Sequence, residues 1–138
     1  MKEVIILAVI FIGGFITVSC GKSTDDTIYK QGKQYYEHFC SSCHRDNGKG
    51  LGALYPTLAG SDYLAANQQI LPCIIKHGLN EPIVVNGKEF HQEMPANKKL
   101  SAIDVTNIIN YINTSWGNNL PPTTVEVTTQ ALENCLPK

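Results

Sequence analysis

The hexapeptide FCSSCH at residues 39–44 constrains this chain more than any other feature. Cys40 and Cys43 stand two residues apart, and His44 follows the second at once. Three chemistries use a Cys-x-x-Cys: a zinc site, a thiol–disulfide switch and covalent haem attachment. Only haem attachment requires the His that comes next. The remaining residues decide among the three.

The N-terminus points to an address outside the cytoplasm. Residues 4–15 (VIILAVIFIGGF) are apolar without a break, after Met1, Lys2 and Glu3. A bilayer span needs about 20 residues, so this run fits the apolar region of a secretory signal peptide. Thr17-Val18-Ser19 leads into Cys20 and Gly21, which resembles a bacterial lipobox. That resemblance implies cleavage before Cys20 and a diacylglycerol on its sulfur; an uncleaved anchor, or an ordinary signal with a spectator Cys20, is the other reading. Residues 1–19 are then signal peptide and residues 20–27 a short polar, acidic tether. The working domain, residues 28–120, lies at the periplasmic side of a bacterial cell envelope, lipid-anchored to the membrane, with 121–138 as a C-terminal tail.

The 138 residues suffice for one modest core. A formal net charge of −1 and the lack of a basic cluster give no footprint for nucleic acid. Cysteine arithmetic carries more information. Of five cysteines, one goes to lipid (Cys20) and two to haem (Cys40 and Cys43), which leaves Cys73 and Cys135 to form a disulfide. Two separate buried thiols are the competing reading. Zinc fares worse, because a closed structural site needs four ligands and Cys73 and Cys135 are isolated. A redox dithiol would want βαβ context, and none is visible.

Local signals describe a mainly helical domain. A first helix reads from about Thr27 to Phe39, with Asp25 and Asp26 at its start to suit the helix dipole. Gly32 inside it costs about 1 kcal/mol against Ala, which suggests another helix crossing closely. Residues 47–60 form a Gly-rich loop without the Gly-Lys-Ser/Thr of a phosphate loop; backbone wrapping close to a flat ligand explains it better. Ser61 caps a helix to about Ile70. Pro72 opens a short one, Cys73 to His77, that ends at Gly78. Ile83-Val84-Val85 and Lys88-Glu89-Phe90 flank Asn86-Gly87, a type I′ hairpin signal. Ser101 and Asp104 open the strongest helix, whose stripe is Val105, Ile108, Ile109, Ile112 and Trp116. After Pro121-Pro122 the tail holds one helical turn at most.

Cys40-Ser41-Ser42-Cys43-His44, the Gly-rich loop with Pro56, the late Met94-Pro95 and the C-terminal amphipathic helix together resemble class I cytochromes c, over roughly residues 28–117. The resemblance implies an all-α fold with a small β-hairpin before the axial Met, and one covalent haem c. It implies thioethers from Cys40 and Cys43, His44 and Met94 as the axial iron ligands, and the Pro56 carbonyl as hydrogen-bond partner of the His44 ring. Gly32, Tyr36 and Tyr111 match the family's helix crossing. Tyr36, Tyr111 and Trp116 would pack the core and line the haem, and Trp116 and Tyr63 are two polar aromatics within possible range of a propionate. His91 and His77 are rival ligands better suited to the surface, and His38 stands too near the attachment site.

The implied function is single-electron transfer between membrane or periplasmic redox proteins of the terminal oxidase, nitrite reductase or dehydrogenase class. The hairpin before Met94 is shared with cytochrome c domains associated with copper oxidases, nitrite reductases and quinoprotein dehydrogenases. The alternative is a haem-based small-ligand sensor or catalyst with an open iron; a third is a haem-free lipoprotein with a Cys40–Cys43 disulfide. No paired acid and base, nucleophile with base, or distal Arg is present, so an enzyme is not expected.

Overall fold

A computed structural model describes residues 23–135, with side chains from Thr27 onward. The signal peptide expected over residues 1–19 and the lipidation expected at Cys20 lie outside the described residues. In chain order the elements are α1 (Ser23–Phe39), α2 (Ser41–His44), α3 (Asp62–Ala66), α4 (Leu71–His77), β1 (Ile83–Val85), β2 (Lys88–Phe90), α5 (Ala102–Thr114) and α6 (Val125–Glu133). The fold is the mostly helical one expected, with one two-stranded antiparallel sheet. Among the described residues no helix is long and apolar enough to cross a membrane.

The centre of the molecule is the crossing of α1 and α5. Gly32 permits it: a Cβ there would run into the carbonyl of Asn107 and the Cβ of Tyr111. Around that contact Tyr36, Val105, Ile108, Ile109, Tyr111 and Ile112 are buried. Tyr36 packs on Tyr111 and on Trp116, with ring centroids 5.3 and 5.0 Å apart, and these tilted contacts add specificity to area burial. The Tyr36 hydroxyl, buried with the ring, donates to the carbonyl of Arg45 at 2.7 Å. That bond ties α1 to the residue just after His44.

Capping follows the sequence closely at α5. The Ser101 side chain accepts from Asp104 N–H and the Asp104 carboxylate accepts from Ser101 N–H, a complete capping box. Ser61 caps α3 through Leu64 N–H at 3.0 Å. In the hairpin Ile83 pairs with Phe90 and Val85 with Lys88. Asn86 and Gly87 both take positive φ (50° and 75°), as a type I′ turn demands.

Three boundaries differ from expectation. Helix α1 runs from Ser23, four residues before the start expected at about Thr27. Short polar and acidic residues suit a helix N-terminus as well as a linker. Helix α3 stops at Ala66 and residues 67–70 turn, where the Asn67 amide folds back to the Tyr63 carbonyl. The tail forms nine residues of helix, not one turn. Thr124 caps α6, Asn110 of α5 bonds both N–H and C=O of Thr123, and Thr128 is buried against Thr106 with hydroxyls 2.8 Å apart.

Candidate functional site

The Cys-x-x-Cys-His stretch is wound as its own short helix, α2, directly after α1. Backbone bonds from Cys43 N–H and His44 N–H to the Cys40 carbonyl (3.2 and 2.9 Å) turn both thiols and the imidazole about one axis. All three line a single apolar cleft with about 1000 Å³ of free space, part of it open to solvent. Helix α3 contributes Tyr63 and Leu64, α4 Leu71, Ile74 and Ile75, the hairpin Ile83, Val85 and Phe90, and α5 Ile108 and Ile112. Pro56 and Met94 line the same cleft.

The Gly-rich loop sets the state of His44. Its Nδ1 lies 3.1 Å from the carbonyl oxygen of Pro56, and a carbonyl only accepts, so Nδ1 carries the proton. The lone pair of Nε2 is left available. Burial lowers the ring's pKa and the Pro56 bond partly offsets this, so the imidazole is neutral at pH 7, the form that ligates metal. Gly50 makes the bond possible. At φ 67° its N–H donates to the His44 carbonyl at 3.0 Å, and a Cβ would collide with the carbonyls of Tyr55 and Pro56.

Met94 is held by backbone. Leu79 and Met94 form an isolated antiparallel bridge, with N–H to carbonyl distances of 2.9 and 2.8 Å in the two directions. Gly78, at φ 82°, allows the approach, because a Cβ there would press on the backbone of Met94, Pro95 and Ala96. Two further ties close the rim. Asp62 and Asn86 exchange backbone–side-chain bonds (2.7 and 3.0 Å), and Lys88 Nζ reaches the Gly52 carbonyl at 2.8 Å.

Other expected residues fall elsewhere. His38, His77 and His91 are exposed and away from the cleft; His91 sits 3.6 Å from Glu89. Trp116 gives its indole N–H to the Asp46 carbonyl at 2.9 Å, so it is not a free donor for a propionate. Tyr36, Tyr111 and Trp116 form a cluster behind α5 and do not line the cleft, which corrects the expectation that they would. Tyr63 does line it. Cys73 and Cys135 are joined by a disulfide. The sequence marks Gly78 only as a helix stop and Gly50 only as a loop glycine, and it carries no sign of the Leu79–Met94 bridge or of the close backbone approaches at these two glycines.

A flat, apolar cofactor that binds covalently to two thiols and accepts one imidazole nitrogen fits these residues. Cys40 and Cys43 are not bonded to each other. Burial, then the neighbouring Cys43, pushes the Cys40 thiol up to about 12. Redox dithiols depend on a depressed thiol, so this environment speaks against a redox dithiol at Cys40. Among the described residues no group of three or more His, Cys, Asp or Glu side chains converges into a metal cage.

Comparison with known proteins agrees. The family model for cytochrome c matches residues 29–116. The cytochrome c subunit of quinone alcohol dehydrogenase from Gluconacetobacter polyoxogenes is 34% identical over 103 residues, covering 73% of this chain and 22% of that subunit. Cytochrome c-552 of Thermus thermophilus is 30% identical over 83 residues, 57% of this chain and 63% of that protein. The chain thus spans about a fifth of the length of the dehydrogenase subunit. The architecture and cleft define a class I cytochrome c domain. The chain belongs to the cytochrome c family, with covalently bound haem c as its cofactor.

Proposed function

We propose that this chain is a lipid-anchored carrier of single electrons at the periplasmic side of a bacterial envelope. Cys40 and Cys43 would hold the haem through thioethers, and His44 and Met94 would supply the two protein ligands of its iron. The observation that supports this reading is that Cys40, Cys43, His44 and Met94 line one apolar cleft with the Pro56 carbonyl on His44 Nδ1. When bound, the haem iron supplies a one-electron couple, and an imidazole–thioether ligand set raises its potential. The chain's own contribution is positional. Pro56 fixes the tautomer and orientation of His44, the Leu79 bridge holds Met94, and the apolar walls exclude water from the ring.

Residues 1–19 are the signal peptide, Cys20 carries the lipid, residues 20–27 link it to the domain at 28–120, and 121–138 is a strapped tail. Similarity to a subunit named for quinone alcohol dehydrogenase favours a dehydrogenase as redox partner over a terminal oxidase or nitrite reductase. Leu54, Ile70 and Val84 are exposed, and each adjoins a cleft-lining residue in sequence. They give a partner an apolar surface near the cleft.

The test is a redox titration of the matured, membrane-extracted protein beside Cys20→Ala. Reversible one-electron behaviour in both at an unchanged potential, with a mature wild-type N-terminus at a diacylglycerol-bearing Cys20 by mass and an uncleaved, unlipidated Cys20→Ala, is the expected result. A wild-type protein whose Cys20 carries no diacylglycerol would remove the lipid anchor. Irreversible or multi-electron behaviour would remove the carrier reading.

A further inference from the structure

Helix α4 has three jobs on three sides. Its inner side, Leu71, Ile74 and Ile75, walls the cleft. Its C-terminal end grips the segment that carries Met94. Beyond the Leu79–Met94 bridge, Asn97 N–H donates to the Ile75 carbonyl at 3.2 Å, and Lys76 Nζ donates to the carbonyls of Lys98 and Leu100. Its outer side carries Cys73, bonded to Cys135 just past the end of α6. Helix α6 is in turn fixed to α5 by the buried Thr106–Thr128 hydroxyl pair and by Asn110 on Thr123.

The chain of contacts is therefore continuous: α5 to α6, α6 through the disulfide to α4, and α4 to the Met94 backbone. Helix α4 also packs on α5 through Leu71 and Ile75, and the disulfide adds a covalent tie on the opposite side of this seven-residue helix. We propose that Cys73 and Cys135 are positioning residues for Met94. The disulfide clamps α4, and with it the Met94 segment, so that the iron stays closed to outside ligands. This rests on the reading of Met94 as an axial ligand.

The experiment uses the haem-loaded full chain. The disulfide is opened with a dithiol, whose own two thiols become a cyclic disulfide as the Cys73–Cys135 bond is cleaved to two thiols. Iodoacetamide caps both thiols, and two added carbamidomethyl groups by mass verify the opening. After reagent removal and reduction of the iron with ascorbate, carbon monoxide binding is titrated. Apparent affinity scales with the fraction of molecules whose site is open, so opening the strap is expected to tighten carbon monoxide binding by about tenfold. The far-red band of the oxidised protein should weaken in parallel.

Gly32→Ala separates positioning from general stability, because it overpacks the α1–α5 crossing and leaves α6, the disulfide and α4 untouched. It is expected to lower the thermal midpoint and leave carbon monoxide affinity as in the wild type. Unchanged affinity after verified opening overturns the proposal. So does an equal gain in Gly32→Ala, or loss of the far-UV helical signal on opening, since the strap would then serve the whole fold. Met94→Ala with the strap closed should bind carbon monoxide at least as tightly as the opened protein. If it binds no better than wild type, the ligation reading itself has failed, and the clamp with it.

Discussion

Gly50 and Pro56 approach so closely that a Cβ on Gly50 would meet the Pro56 carbonyl oxygen, the same oxygen that lies 3.1 Å from His44 Nδ1. Position 50 is thus a control on the proximal imidazole although it touches neither ring. Gly50→Ala also places an L-residue at φ 67°, which costs about 1–2 kcal/mol. Thermal unfolding of the matured protein should show that loss. With the Pro56 bond stretched, His44 becomes a weaker donor, ferric iron is less stabilised, and the reduction potential should rise. An unchanged potential in a destabilised protein would mean that the loop yields elsewhere and keeps the bond.

Gly32→Ala sets two effects against each other. Helix propensity favours Ala by about 1 kcal/mol. The new methyl, however, meets the Asn107 carbonyl of α5, backbone that cannot swing away. Overpacking of this kind costs about 1–3 kcal/mol, so the variant should be less stable than wild type by denaturant melt. A stabilised variant would show that α1 and α5 can separate at little cost.

The α5 capping box gives a pH dependence with a definite sign. Burial alone would raise the Asp104 pKa, but the Ser101 hydroxyl and N–H, with smaller help from Tyr35 and Lys76, outweigh it and hold the carboxyl below 3.8. Because the folded value lies below the unfolded one, ionised Asp104 stabilises the fold above pH 3.8. That contribution is lost as pH falls through the folded value. Asp104→Asn should therefore be less stable than wild type at pH 7, with the gap closing in acid. Ser101→Ala should cost about 1 kcal/mol at neutral pH. A gap that widens in acid would contradict the assignment.

What was legible in the sequence was what local chemistry determines. Asn86-Gly87 dictates its turn, Ser101 and Asp104 announce a helix start, and Cys40-x-x-Cys43-His44 points to haem when read in order with Pro56 and Met94. Tertiary relationships were not legible. Gly50 and Gly78 look like ordinary loop and cap glycines, and only the returning backbone of Pro56 and Met94 reveals why no side chain fits. Helix α6 was under-read because Val125, Val127, Thr128 and Thr129 are β-branched and favour strands. Packing of Thr128 on Thr106 and the Thr124 cap overrule that preference. Trp116 carries no sequence sign that its N–H is committed to Asp46.

Encounter with a redox partner should depend little on salt. The chain's formal net charge is −1, and the residues offered near the cleft include the apolar Leu54, Ile70 and Val84. Steered association falls steeply with ionic strength. Stopped-flow electron transfer from a quinoprotein dehydrogenase should therefore change by less than about tenfold between low and physiological salt. A steep fall would mean that charged groups, not this apolar surface, guide docking.

Visible spectroscopy of the matured protein, oxidised and reduced, for wild type and Met94→Ala, tests the central claim most directly. The account predicts a sharp low-spin reduced spectrum and a weak far-red oxidised band that Met94→Ala abolishes. A high-spin wild-type spectrum that shifts readily with carbon monoxide would contradict it, making the iron an open site and the protein a ligand binder.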